Sequence, residues 1–184
     1  MNKHARHNLC FSDQGQSANY ESGCGTVIAF NEVLCTKEIR RKIGELCGKT
    51  NLPAEGNYYY NPNKCGIGFH SDLERKVVVA IRLGFPIPLH FQWFLKGEPL
   101  GTRCVLSLNH GDIYIMSEKA VGNDGRRKII PTLRHAAGCE EYTKIKPKKT
   151  KSEPVVIGIN PIVKPQLIVI ESNPKPKARL VIIG

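Results

Sequence analysis

A mostly β domain of the sandwich or jelly-roll kind, preceded by one supporting helix, is the fold class that three observations predict. After Pro53 the chain breaks into short apolar or aromatic runs separated by turn signals. The one stretch with helical spacing lies ahead of those runs. Strands and helices do not alternate as a parallel βαβ sheet requires, so the class is α+β with strands dominant.

Residues 1–26 are rich in Asn, Ser, Gly and Gln and read as irregular structure. Residues 27–30 form a short apolar run and a predicted strand. Between residues 36 and 46 the apolar positions Ile39, Ile43 and Leu46 recur at helical spacing. Thr36, Glu38 and the basic Arg40, Arg41 and Lys42 suit a capped surface helix there. Asn57, Tyr58, Tyr59 and Tyr60 are β-prone and run into the turn signal Asn61-Pro62-Asn63. Strands are then predicted at 77–81, 89–94, 105–108 and 113–116, with a hairpin turn at 96–99.

The chain has 184 residues, of which 41% are hydrophobic and 23% charged, as a globular domain requires. No run approaches the roughly 18 apolar residues of a membrane span, and residues 1–7 lack the apolar stretch of a secretory signal. An intracellular protein of cytoplasm or nucleus, with no membrane partner, is therefore expected. Seven cysteines, at 10, 24, 35, 47, 65, 104 and 139, stand as singles without any CxxC pair. That pattern suggests reduced thiols, neither a disulfide framework nor a thiolate zinc site.

The formal net charge of +11 is unevenly placed. Residues 1–143 hold 18 Lys and Arg against 14 Asp and Glu, a balance of +4, whereas residues 144–184 hold 9 against 2. The organisation expected is a body at 1–146 and a basic, Pro/Val/Ile-rich tail at 147–184. In the tail, three apolar pieces at 154–157, 166–170 and 179–183 are separated by prolines that exclude a long helix. They suit edge strands on the body, a segment that augments a partner's sheet, or an interface.

The sharpest local feature is Gly68-Phe69-His70-Ser71-Asp72. On a strand, residues two apart point to one face, so His70 and Asp72 can converge. An imidazole and a carboxylate so placed are two thirds of a facial triad, whose open positions suit iron(II) oxygenases. His90, His110 and His135 lie downstream. His135 has the best setting, because Leu133 and Ala137 on its side of a strand leave a dry site with room beside the metal. His110, in Asn109-His110-Gly111-Asp112, reads as a turn residue, and His90 as a plain sheet histidine.

Across residues 5–146 the order of motifs resembles the AlkB-like branch of the 2-oxoglutarate dioxygenases. Residues 5–13 are similar to that family's PRxxxxYGD segment, with Ala5, Phe11 and Ser12 replacing Pro, Tyr and Gly. Asn57 and Tyr59 resemble its NxY element, His70, Asp72 and Glu74 its HxDxE, and Gly111-Asp112 the element ahead of its distal histidine. The resemblance implies a double-stranded β-helix, an Fe(II) ion on His70, Asp72 and His135, and 2-oxoglutarate on Asn57 and Tyr59. Arg6, Asp13 and Glu74 take the substrate-side positions. The family's terminal arginine motif does not follow His135; Lys144 and Lys146 stand there instead and are expected to meet the distal carboxylate of 2-oxoglutarate. A lysine makes a point-charge contact where arginine makes a fork.

The activity so implied consumes O2 and 2-oxoglutarate, releases succinate and CO2, and hydroxylates a C–H bond. On an N-methylated nucleobase of DNA or RNA the product collapses with loss of formaldehyde, which is repair chemistry. A duplex base must be flipped out to reach such a site. The alternatives are hydroxylation of a protein side chain or small metabolite, or a non-catalytic nucleic-acid-binding relative. The body is expected to select the base, and the tail to add salt-sensitive, sequence-blind affinity. The loop 122–128, glycine-rich with a basic end, reads equally as a phosphate contact or a solvated hairpin tip. Most of the aromatics at 58–60 and 93–94 are expected to pack in the core.

Overall fold

The computed structural model describes residues 6–145 and the backbone of 167–170 and 180–183. The protein is mostly β, with three small sheets and few helices. It divides into two compact units, Met1–Asn61 and Pro62–Gly184. Among the described residues no helix is long and apolar enough to cross a membrane. All seven cysteines are free, and only Cys65 is buried.

In the first unit, strand β1 (His7–Ser12) lies between β2 (Val27–Ala29) and β3 (Ala54–Tyr58), parallel to the former and antiparallel to the latter. The sequence reads as irregular at β1 because its apolar residues, Leu9, Cys10 and Phe11, are few, mostly exposed and set in a polar, glycine-rich stretch. Pairing on both edges supplies what its composition lacks. The apolar run after β2 turns at Phe30, which is buried in a single 3-10 turn, Phe30–Glu32.

Helix α1 (Leu34–Cys47) covers the predicted span and extends it at both ends. Thr36 is not its cap: the N-cap is Val33, with no side-chain hydrogen bond. The end is regular, since Gly48 adopts φ +62° and its N–H donates to the carbonyls of Glu45 and Gly44. Arg40 ties this unit together. Its Nε donates to the Leu52 carbonyl at 2.7 Å, its guanidinium forks onto the Asp13 carboxylate, and it stacks 4.2 Å from the Phe30 ring centroid.

The second unit contains β4 (Gly66–His70), β5 (Val78–Ile81), β6 (Leu89–Leu95), β7 (Glu98–Leu106), β8 (Ile113–Met116), α2 (Glu118–Val121), β9 (Thr132–Gly138) and α3 (Glu140–Thr143). Strands β10 (Leu167–Ile170) and β11 (Leu180–Ile183) follow. The predicted strand at 105–108 is the far end of β7. The hairpin turn before it is tight, because Lys96 and Gly97 adopt φ +53° and +85°, the pair of positive values that matches strand twist.

Two four-stranded sheets result, ordered β4-β9-β6-β7 and β10-β11-β8-β5. Along the chain, consecutive strands pass back and forth between them. Strand β9 is buried along almost its whole length, and with Leu89, Phe91 and Phe94 of β6 it forms the centre of the core. In the tail, the second and third predicted pieces contain strands over 167–170 and 180–183: β10 and β11 pair antiparallel, and β11 lies parallel to β8. The piece at 154–157 lies outside the described residues.

Candidate metal centre

Four neighbouring strands of one sheet, β4, β9, β6 and β7, set the row on which the site is built. His70 is the register partner of His135, His135 of Phe91, and Phe91 of Cys104. Directly opposed residues share a face of a sheet, so both imidazoles lie on one side of β4 and β9. Their ring centroids are 4.2 Å apart and tilted by 58°. His90 is the partner of Ala136 and therefore belongs to the opposite face. His110 sits in its turn, where its Nδ1 accepts from the Gly84 N–H at 2.9 Å.

Asp72 joins them by a route that strand alternation does not supply. Strand β4 ends at His70, and Asp72 lies just beyond it. Its N–H donates to the Val121 carbonyl of α2 at 2.8 Å, and that bond folds the carboxylate back over the row. Asp72 Oδ1 is then 3.7 Å from His70 Nε2, and Asp72 Oδ2 is 3.7 Å from His135 Nε2. One ligand atom from each residue lies within 4.8 Å of the others. Ligand atoms sharing a metal at about 2.0–2.2 Å lie roughly 3 to 4 Å apart, so a small inward adjustment completes the shell.

The donor chemistry fits a divalent metal ion. His70 Nδ1 is 2.8 Å from the Gly68 carbonyl, which accepts its proton and turns the Nε2 lone pair toward Asp72. His135 is buried, and its pKa is pushed down to about 3, chiefly by burial and secondarily by His70. It is therefore a neutral imidazole, the form that ligates. The Ala120 carbonyl lies beside it and pulls the other way, yet falls short of a hydrogen bond, leaving Nδ1 buried without a partner. Arg75 Nη1 stands 3.6 Å from Asp72 Oδ2.

The glycine-rich loop after α2 clamps the ligand loop in place. Gly122 has φ +77°, and a Cβ there would meet the Leu133 carbonyl at 2.6 Å and Ser71 Oγ at 2.8 Å. At Gly125 a Cβ would fall 2.5 Å from Ser71 Cβ. The Asn123 amide donates to the carbonyls of Leu73 and Arg75 at 2.9 and 3.0 Å. Only hydrogen at both glycines lets the loop sit this close to Ser71.

The other predicted residues fall as follows. Glu74 is exposed, 3.5 Å from Arg75 Nε, and lines an open cleft of about 400 Å³ with Leu73, Asn123 and Arg126. Lys144 Nζ is 3.0 Å from Glu140 Oε1, and both side chains are largely in solvent. Lys146 lies outside the described residues. Arg6, Asp13, Asn57 and Tyr59 belong to the first unit: Arg6 Nε donates to Asn57 Oδ1, Asp13 is held by Arg40, and Tyr59 is half-buried just after β3. Tyr58 and Tyr60 are exposed beside His7, contrary to the expectation of core packing.

One cation in the second unit escaped the sequence reading. Arg82 follows β5, and its N–H donates to the Asp112 carbonyl at 2.8 Å, which continues the β5–β8 pairing. Ala80 opposes Tyr114, so Arg82 and Tyr114 share a face. Arg82 Nε is buried without a hydrogen-bond partner. Burial pushes the Tyr114 hydroxyl above the ordinary phenol value, with Arg82 pulling it back and Asp72 adding to the rise. An arginine after an apolar run reads in sequence as a strand end, and only the β5–β8 register shows where it stands.

An uncharacterized protein of Acanthamoeba polyphaga mimivirus is 49% identical over 144 residues, which are 78% of this chain and 57% of that protein. The chain thus spans little more than half the length of that relative. No family model matches the sequence. No solved structure matches it.

Proposed function

We propose that the protein is an Fe(II)- and 2-oxoglutarate-dependent dioxygenase that removes alkyl groups from nucleobases of DNA or RNA. The observation that carries the reading is the gathering of two imidazole Nε2 atoms and one carboxylate on a half-buried face, with the His70 tautomer fixed by Gly68. A two-histidine, one-carboxylate set with open positions is the ligand set of non-haem iron oxygenases. The strand path supports a double-stranded β-helix, since the chain repeatedly crosses between two four-stranded sheets.

His70, Asp72 and His135 would hold the metal, which when bound supplies activation of O2 coupled to oxidation of 2-oxoglutarate. The chain's own residues prepare the site. Phe91 and Leu133, both buried, keep the metal face dry, and Gly68 holds the proton on His70 Nδ1. Arg82 is the cation best suited to the distal carboxylate of 2-oxoglutarate: its Nε lacks a partner, whereas Lys144 is already engaged with Glu140. A charged hydrogen bond of this kind contributes about 1.5–3 kcal/mol. Arg82→Met should therefore weaken 2-oxoglutarate binding by roughly 10- to 100-fold in calorimetry, with metal affinity spared. Equal weakening by Lys144→Ala alone would return the role to the lysine.

The direct test is succinate and formaldehyde release with Fe(II), 2-oxoglutarate and an N-methylated oligonucleotide. Both products should form together, and His70→Ala, Asp72→Ala and His135→Ala should each abolish them. Succinate that forms equally without oligonucleotide, and no formaldehyde, would move the substrate to a protein side chain or a metabolite. No succinate under any condition would end the oxygenase reading.

A further inference from the structure

Resting on the nucleic-acid reading above, we propose that a cleft between the β6–β7 turn and the glycine-rich loop binds the phosphates of single-stranded nucleic acid. This cleft, of about 360 Å³, is lined by Lys96, Gly97, Gly125, Arg126, Lys128 and Arg134. Four of the six are cationic and none is acidic. No carboxylate among the described residues pairs with Arg126 or Lys128, and both are exposed. Arg134 is half-buried and held from below, its guanidinium 4.6 Å from the Phe94 ring centroid. The fork is thereby presented with little conformational freedom left to lose, the arrangement that suits a phosphate oxygen pair.

Position gives the cleft its function. Arg126 also lines the neighbouring cleft with Leu73, Glu74 and Asn123. That second cleft begins at Leu73, next to Asp72 in the chain. The loop carrying Arg126 is fixed to the ligand loop by the Asn123 hydrogen bonds and by close approach of Gly122 and Gly125 to Ser71. A strand laid along Lys96, Lys128 and Arg134 therefore reaches Arg126, where its next base meets Glu74. A single strand fits better than a duplex, because the target base must leave its stack.

The test is fluorescence anisotropy of the full-length protein with a labelled, unmethylated single-stranded oligonucleotide of mixed sequence, across a salt series. Neutralising two phosphate contacts on a single strand lowers the slope of log K against log salt by about 1.4. R126Q/K128Q should show that change and bind about 25-fold more weakly at 0.1 M salt. K37Q/K49Q, which removes the same charge from exposed positions of the first unit, should leave the slope unaltered. Circular dichroism and cobalt(II) titration should be the same for both variants as for the parent. An unchanged slope in R126Q/K128Q, or equal changes in the two variants, overturns the proposal. A phosphopeptide or anionic vesicle that displaces the oligonucleotide at equal charge concentration overturns the choice of ligand. Because no turnover is needed, failure of the oxygenase assay with intact salt-dependent binding counts against that reading alone.

Discussion

Three side chains form the cluster that could hold a metal ion, and each is held by something other than the other two. His70 is fixed by the Gly68 carbonyl, Asp72 by the Val121 carbonyl through its backbone, and His135 by burial in β9. Losing an outer partner of a ligand typically costs 10- to 100-fold in metal affinity, so losing a ligand should cost more than about 100-fold. Cobalt(II) or iron(II) titration of the His70→Ala, Asp72→Ala and His135→Ala variants checks this. His110→Ala should bind as the parent does, because His110 faces Gly84 in its turn. A similar loss from His110→Ala would refute the assignment. The pair His70 and Asp72 was legible in the sequence, and so was the choice of His135, since Leu133 and Ala137 are both buried on its strand. The reason for convergence was not legible: β4 stops at His70, and the carbonyl that positions Asp72 comes from Val121, far along the chain. Arg82 was hidden for the same reason, its meaning residing in a pairing with β8.

At the scale of elements, the β6–β7 hairpin, strands β2, β5, β6 and β8 and a helix over 36–46 followed from turn residues and apolar spacing. Strand β1 did not, because its short apolar part is mostly exposed and its order comes from two neighbours. Arg40 of α1 joins that strand region to Phe30 and Leu52. Arg40→Ala should destabilise the first unit by about 1–3 kcal/mol, since it removes the part-buried hydrogen bond to the Leu52 carbonyl and the packing on Phe30. Thermal unfolding should show the loss, and Lys42→Ala on the open face of the same helix should show almost none. In the second unit the glycine-rich loop leaves no room for a single methyl group at Gly125. Gly125→Ala places carbon against Ser71 and should cost about 1–3 kcal/mol while lowering metal affinity. Ser71→Gly in the same chain should restore most of both, which separates a steric effect from a backbone one.

For the molecule as a whole, the tail bears most on design. Composition alone leaves residues 147–184 as a basic arm, and two of its three apolar pieces nonetheless pair as β10 and β11 beside β8. Ending the chain at 146 strips β8 of a neighbour. For a chain of this size each kcal/mol shifts Tm by roughly 2–4 °C, so a fall of more than about 4 °C is expected. An unchanged Tm together with a flatter salt slope would instead make the tail a phosphate-tracking arm. The bond from the Asp72 N–H to the Val121 carbonyl has a further consequence, on the time axis. An amide proton leaves for deuterium only when its bond opens. The Asp72 amide thus reports each parting of α2 from the ligand loop, and its exchange should keep pace with that of Gly125, whose N–H bonds Gly122 in the same loop. Bound metal should slow both clocks by one factor.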